Sequence, residues 1–444
     1  ATRISEVGAR FTLDAIPAKY EGLSGGELAL SESQERMACV VAAADLERFR
    51  AFCAEENLEA TVVAEVTEEP RLKMTYRGET LVDLSRELLN SSGAPKRAAV
   101  QVEAPAPLPQ GIAPDAGDAP ARLRALLADL NVCSRGGLLE RFDSTAGAAT
   151  LLSPAGGRHQ AAVSQAMAAR LPSERGDCLT ASLMAYGFCP TLSEASPFHG
   201  AVWAVCQSIC RLVASGGDRR TAYLSFQEFF ERMSSEAAFG KPFAALLGAY
   251  LAQMGLEVGA VGGKDSMSGS FEGINVPPTL LSFAVCTAPA AQVVSPEFKR
   301  AGERVTLLRP PLDADGLPDF EVLRGQLDEV TGLCGQGRVS AAYAVGFGGV
   351  AEGVAKLCFG NRLGFAFDAA FEADNDLFED VLGGILLVGD DLPGAPVGVV
   401  TEQPALTVGG QTLPLEELLA IWEAPLAELF PVKAPVADGS VVEL

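Results

Sequence analysis

"VTEEPRLKMTYRGETLVDLSRELL" (residues 66–89) lines up, allowing small gaps, with "VTEQPALTVGGQTLPLEELL" (residues 400–419). Upstream, "GARFTLD" (8–14) matches "LGFAFD" (363–368), and "RMACVVA" (36–42) matches "GGILLVG" (383–389). Matches in the same order point to one structural unit occurring twice. The copies are unequal. Residues 303–362, including "VSAAYAVGFGGVAEGVAKLCFG", lead into the second copy, and the first has almost nothing there. That imbalance reads as a chain that begins inside a domain, with the natural polypeptide continuing upstream.

Apolar periodicity supplies the elements. It predicts a short strand over 37–43, a charged amphipathic helix over 45–57, and strands over 60–66, 71–76 and 79–84. The resulting β-α-β-β order belongs to the α+β class. "EAPAPLPQGIAPDAGDAPAR" (103–122) is Pro, Ala and Gly-rich without a period, and reads as a linker. "VVSPEFKRAGERVTLL" (293–308) marks a second boundary. The expected organisation is 1–102, 123–292, 300–432 and a loose tail, 433–444. Val202, Val205, Cys206, Ile209, Leu212 and Val213 fall at helical spacing over 198–215. Ser196-Pro197 starts that helix and "SGG" (215–217) stops it. A second helix covers 240–254, and "LEVGAVGG" is a short strand opening into a loop.

The chain of 444 residues carries a net charge of −23, so its field repels nucleic acid and anionic membrane surfaces. No apolar run approaches the ~20 residues of a membrane span, and the N-terminus has no apolar signal core. Ten cysteines without a C-x-x-C read as reduced core residues of a cytoplasmic protein.

Chemistry-bearing residues concentrate in "AVGGKDSMSGS" (260–270). A P-loop needs G-x-x-x-x-G-K-S/T, but position 258 is Val and Lys264 is followed by Asp265, so this is no Walker motif. Two glycines let the backbone approach a ligand. Lys264 can meet a phosphate, Asp265 can take Mg²⁺, and Ser266 and Ser268 can donate to phosphate oxygens. A polar turn with capping Asp and Ser explains the same residues. In "SESQER" (31–36), Glu32, Ser33 and Gln34 suit a polar ligand such as a ribose or an amide, and equally an exposed turn. The matching "LFEDVLGG" keeps the strand and loses the polar cluster. His159 and His199, the only histidines, read as surface or packing residues. "GLCGQG" around Cys334 lacks a histidine base after it and is rejected as a nucleophile elbow. "AVGFGGVAEG" (344–353) reads as tight helix packing rather than an anion site. Gln207 and Arg211, i and i+4, form a polar spot on an apolar helix.

"GGKDSMSGSFEGINVPPTLLSFAV", "SESQERM", "LMAYGFCPTLSEASPFHGAVWAV" and "FGKPFAALLGAYLAQMGLEV" together resemble the phosphoribosylformylglycinamidine synthase (formylglycinamide ribonucleotide amidotransferase) family, nearest its long single-chain clostridial-type form. The resemblance implies aminoimidazole ribonucleotide synthetase-like A and B domains in partial tandem duplication. The chain would hold part of a first B domain, then a second A and a second B domain. The first A domain and the glutaminase would be missing. It implies a ligase of purine biosynthesis that uses ATP, Mg²⁺ and glutamine-derived ammonia to convert formylglycinamide ribonucleotide to its amidine. By motif, Glu32, Ser33 and Gln34 would contact substrate. Gly263, Lys264, Ser266 and Ser268 would hold nucleotide, and Asp265 would take Mg²⁺.

One departure divides the expectation. The family places a Glu and an Asn as magnesium ligands on the helix where this chain has Gln207 and Arg211. Gln is a weaker ligand than a carboxylate, and Arg binds no cation. Either Mg²⁺ sits on Asp265 and Gln207, or Arg211 holds phosphate directly. Asp177 aligns loosely with a further ligand. The expected function is a ligase part inactive alone; the alternatives are a non-catalytic nucleotide-binding or assembly subunit, and a pure scaffold.

Overall fold

In the computed structural model, which describes residues 7–31, 36–91, 97–108, 117–141, 149–174 and 176–432, the chain divides into two compact units, Ala1–Arg97 and Ala98–Leu444. The first unit contains β1 (Gly8–Thr12), α1 (Leu46–Glu55), β2 (Ala64–Thr67), β3 (Arg71–Tyr76), β4 (Glu79–Ser85) and α2 (Arg86–Asn90). Its sheet runs β2-β1-β3-β4, with β1 antiparallel to β2 and parallel to β3. The β3–β4 hairpin turns on Arg77 and Gly78, at φ of 51° and 82°. Positive φ at both positions matches the twist of the flanking strands.

The second unit holds two large sheets and two short hairpins, 155–163 and 270–275. Strands β5 (Thr150–Leu152), β6 (Ala166–Arg170), β7 (Thr180–Gly187), β8 (Tyr223–Phe229), β9 (Ala260–Ser266) and β10 (Thr279–Pro289) form the first, in the order β9-β8-β10-β7-β6-β5. Helices α3 (Ala119–Ala128), α4 (Pro197–Ala214) and α5 (Glu236–Leu256) lie in this part of the chain. Strands β11 (Arg304–Leu308), β12 (Ala341–Ala344), β13 (Gly364–Phe367), β14 (Ile385–Val388), β15 (Ala395–Thr401), β16 (Ala405–Val408) and β17 (Gln411–Pro414) form the second, ordered β12-β14-β11-β15-β13-β16-β17. Helices α6 (Phe320–Gly335), α7 (Gly349–Phe359) and α8 (Leu415–Ala427) accompany it.

The repeat read from sequence is a repeat of backbone. Strands β15-β13-β16-β17 reproduce β2-β1-β3-β4 in order, direction and register. Gly364 pairs with Thr401 and Phe365 with Leu406, as Gly8 pairs with Thr67 and Ala9 with Leu72. Thr67 Oγ1 donates to the Glu69 carbonyl at 3.2 Å, and Thr401 Oγ1 to the Gln403 carbonyl at 3.2 Å. A Cβ on Gly364 would lie 2.0 Å from the Gln403 oxygen and 2.3 Å from that of Ala405; on Gly8 it would lie 1.9 Å from Glu69 O. The glycine is required by the close approach of the crossing backbone.

Two expectations change. Residues 37–43 form no strand, and Met37 is 90% exposed. Their counterpart β14 is paired on both sides, by β11 and β12. Both partners come from the 303–362 stretch, and among the described residues no strand pairs with 37–43. Residues 103–122 are also not linker throughout. Asp118 caps α3 by accepting from Ala121 N–H, and Pro120 sits in the first turn. The buried Leu123, Leu126 and Leu127 of α3 then join the core beneath the seven-stranded sheet.

Helix α4 is the centre of the other core and is enclosed almost throughout. Among the described residues, no helix is long and apolar enough to cross a membrane. Replacing Gly364 by Ala forces two carbonyl oxygens apart. It should lower stability in chemical denaturation by about 1–3 kcal/mol, the usual cost of overpacking.

Candidate functional site

Residues Gly263, Lys264, Asp265 and Ser266 lie in a strand rather than a loop. They pair in parallel with β8, Gly263 opposite Phe226, Lys264 opposite Gln227, Asp265 opposite Glu228 and Ser266 opposite Phe229. Ser268 follows the strand and is exposed. The two glycines differ in purpose. A Cβ on Gly263 would meet the Phe226 carbonyl at 2.4 Å, so its close neighbour is β8; a Cβ on Gly262 would meet nothing.

The carboxyl ends of β8 and β9 are stapled together. Phe230 N–H donates to the Ser266 carbonyl at 2.8 Å, and Gly269 N–H to that of Phe230 at 3.0 Å. The side chains of Lys264 and Asp265 are exposed and make no hydrogen bond or ion pair among the described residues. Glu228 stands beside Asp265 on the same face, since register partners on adjacent strands point the same way. Burial, then the Asp265 charge, pushes the Glu228 carboxyl above its ordinary range. Two carboxylates held together without a cation are a partial ligand set for a hard divalent ion. Sequence reading missed Glu228, because only strand register brings it to Asp265.

Gln207 and Arg211 belong elsewhere. Both project from α4 onto the end of β7. Gln207 Oε1 accepts from Phe188 N–H at 3.0 Å, and Arg211 Nη1 donates to the Tyr186 carbonyl at 2.9 Å with its guanidinium over the Tyr186 ring. Across the sheet, Tyr186 aligns with Phe283, then Ser225, then Gly262. Three inter-strand steps separate the two groups by roughly 14 Å. Gln207 therefore shares no coordination sphere with Asp265, and its oxygen is already engaged. The fit for Mg²⁺ rests on Asp265 and Glu228. Among the described residues no group of three His, Cys, Asp or Glu side chains could hold a metal ion. Asp177 pairs with Arg170 at 3.1 Å on the surface.

The remaining candidates resolve simply. Glu32, Ser33 and Gln34 lie outside the described residues. His199 is buried; Nε2 lies 2.9 Å from the Asp315 carbonyl and Nδ1 2.7 Å from Ser196 Oγ. A carbonyl only accepts, so Nε2 carries the proton and neither nitrogen is free to act as a base. His159 is exposed. Burial pushes the Cys334 thiol up to about 12. At the start of α7, Glu352 accepts from Gly348 N–H at 2.8 Å and pairs with the buried Lys356. The chain's own carboxylate thus takes that helix start.

The second copy loses the hydroxyl and the amide of that cluster and keeps carboxylates in their place. Aligned on the 36–42 and 383–389 segments, Glu32, Ser33 and Gln34 correspond to Glu379, Asp380 and Val381. Asp380 also lines a recess with Cys189, Thr191, Leu192, Gln207, Phe347 and Leu382. Its Oδ1 is buried without a hydrogen-bond partner among the described residues. Burial, with the Glu352 and Glu379 charges, pushes its carboxyl up to about 7.

A sequence-family profile described as "AIR synthase related protein, C-terminal domain" matches residues 2–77, the first copy of the repeat. The fold is the AIR synthase-related one. The solved structure of T. maritima PurL complexed with ATP has a TM-score of 0.61 at 18% identity, over 89% of this chain and 60% of that one. The one titled as complexed with FGAR gives 0.63 at 18%, over 90% and 59%. In sequence, the chain is similar to phosphoribosylformylglycinamidine synthase subunit PurL over most of its length. The Thermus thermophilus subunit is 26% identical over 466 residues, 96% of this chain and 62% of that protein. The Thermoplasma acidophilum subunit is 24% identical over 406 residues, 86% and 52%. The chain thus spans between half and two thirds of the length of these relatives.

Two outcomes follow from this geometry. Gly263→Ala should cost about 1–3 kcal/mol in urea denaturation, whereas Gly262→Ala should stay within about 0.5 kcal/mol. The raised carboxyl of Asp380 makes its ionisation unfavourable to the fold. Its contribution is fully present below the unfolded-state value near 4 and is lost as pH rises through about 7. Asp380→Asn should therefore gain stability relative to wild type between pH 5 and pH 8, read as a widening gap in melting temperature.

Proposed function

We propose that this chain is part of an ATP-dependent ligase that converts formylglycinamide ribonucleotide to formylglycinamidine ribonucleotide in the cytoplasm, with glutamine as the ultimate source of ammonia. The observation that carries this reading is the similarity to PurL over 81–96% of the chain. The AIR synthase-related fold over nine tenths of it agrees, with solved neighbours titled as complexes with ATP, ADP and FGAR. In this reading the repeat is a tandem duplication, and the segment 31–36, with Glu32, Ser33 and Gln34, contacts the ribonucleotide. The first A domain and the glutaminase complete the enzyme.

When bound, ATP would supply the phosphoryl group that turns the formamide oxygen into a leaving group, with ADP released. The chain's own residues hold and screen charge. Lys264, Ser266 and Ser268 donate to phosphate oxygens at the carboxyl end of β9, while Asp265 and Glu228 take Mg²⁺. Donors fixed in advance of the reaction lower the cost of the charge that develops. Arg211 and Gln207 lock α4 to β7 instead of holding the metal.

Titration calorimetry with ADP tests the nucleotide assignment. Binding should require Mg²⁺ and weaken at least 10-fold in Asp265→Ala or Glu228→Gln, with Arg211→Met closer to wild type. Binding that ignores Mg²⁺ and disappears in Arg211→Met would return the phosphate to Arg211; no binding at all would leave a scaffold. The purified chain given formylglycinamide ribonucleotide, MgATP and ammonium should form no amidine, and turnover would refute its inactivity alone.

A further inference from the structure

Just past the end of β8, Glu231 is the meeting point of three pieces of chain. Its side chain is 15% exposed, and both of its oxygens are occupied. Oε1 accepts from Lys241 Nζ near the start of α5, and Oε2 accepts from Asn275 Nδ2 on the second strand of the 270–275 hairpin. From there the contacts continue across the hairpin. Ser270 Oγ donates to Asn275 Oδ1 at 2.7 Å and accepts from Arg232 N–H at 3.0 Å. Backbone bonds close on the same point: Gly269 N–H donates to the Phe230 carbonyl at 3.0 Å, and Val276 N–H to the Gly269 carbonyl at 2.7 Å. A Cβ on Gly269 would lie 2.4 Å from Val276 Cγ1, so the approach is tight.

The hairpin depends on that anchor. Each of its strands has two residues, and its cross-strand pair, Phe271 and Ile274, is 73% and 74% exposed. No apolar burial of that pair holds it, and a two-stranded hairpin is marginal by itself. Charge-assisted hydrogen bonds are the strong kind, and Glu231 receives one from Lys241. The stretch between β9 and the hairpin is therefore fixed at both ends. Phe230 N–H holds the Ser266 carbonyl at 2.8 Å at one end, and the Ser270–Asn275–Glu231 chain holds the other. Ser268 lies between. Its carbonyl accepts from Ser270 N–H at 2.8 Å, while its exposed hydroxyl makes no hydrogen bond among the described residues.

We infer that Glu231 is a positioning residue for phosphate: by tying the hairpin to β8 and α5, it holds the Ser268 hydroxyl at the carboxyl end of β9 before a ligand arrives. This rests on the nucleotide reading proposed above and adds a residue that touches neither phosphate nor metal. Both Glu231 oxygens already take donors from the protein, which separates it from Glu228 and Asp265. A donor ordered in advance has less freedom to lose on binding.

Calorimetric titration of the whole chain with MgADP tests this. Glu231→Ala and Asn275→Ala, which cut the anchor from its two ends, should each weaken binding about 5- to 10-fold, the range expected when a side chain must be ordered on binding. Ser268→Ala should weaken it too. Adding either anchor variant to Ser268→Ala should then cost less than about 2-fold more, because effects that run through one contact do not add. A residue that only stabilised the fold would weaken binding by the same factor with or without Ser268. Without nucleotide, hydrogen exchange at the Gly269 and Val276 amides should quicken in both anchor variants. Unchanged exchange, undiminished MgADP affinity, or additive losses would each overturn the inference and leave the nucleotide reading standing. A wild-type chain that does not bind MgADP, or binding indifferent to Ser268→Ala, would remove the phosphate reading of this stretch and the inference with it. Asn275 is exposed, so Asn275→Ala decides the matter even if Glu231→Ala folds poorly.

Discussion

Helix α4 is the constraint on which the second unit depends. An enclosed helix must satisfy its ends and polar side chains inside the protein. It reaches several neighbouring elements, with Arg211 Nε left unpaired among the described residues. Ser196 and His199 tie its start to Asp315, and Trp203 Nε1 donates to the Gly316 carbonyl at 3.1 Å. Ser208 meets Ser282 of β10 at 2.9 Å, while Gln207 and Arg211 hold the end of β7. The cost of leaving any of these groups unpaired, about 1–3 kcal/mol each, fixes where the six-stranded sheet sits against the helix. The segment around residue 315 is fixed by the same contacts.

That arrangement explains the departure noticed at Gln207 and Arg211. As isolated polar residues on an apolar helix they invite a ligand reading. In place, each answers a backbone group at the end of β7. Arg211 adds a cation–π contact with the Tyr186 ring that Asn could not make. The polar spot is a clamp between helix and strand. Metal chemistry, if assigned to this region, moves to the parallel β8–β9 pair.

Much of the fold was legible because it is written twice. The 66–89 and 400–419 strings encode the same β3–β4 and β16–β17 hairpins, and Gly8 and Gly364 mark the same crowded crossing. What failed was whatever depends on a partner distant in sequence. Residues 37–43 carry a strand's pattern, yet a strand exists only where a neighbour pairs with it. Periodicity cannot report whether a pairing strand stands beside it. Asp265 was legible as a candidate from its own neighbours, whereas Glu228 was not, since only register joins them. Asp380 was hidden for a different reason. In sequence "LFEDVLGG" reads as the copy without the polar cluster, and the enclosed oxygen of Asp380 is a property of packing alone.

The position of β9 has a consequence beyond ligands. It is the outermost strand of its sheet and pairs along one side with β8. Its other side offers backbone amides and carbonyls to any extended chain that approaches. Val261, 72% exposed, would favour such an addition. The charges of Lys264 and Asp265 oppose it, because an incoming strand would have to desolvate them. The same two side chains that suit a phosphate and a cation also act as gatekeepers against fibrous self-assembly. A substitution there that made the edge apolar would alter solubility as well as binding.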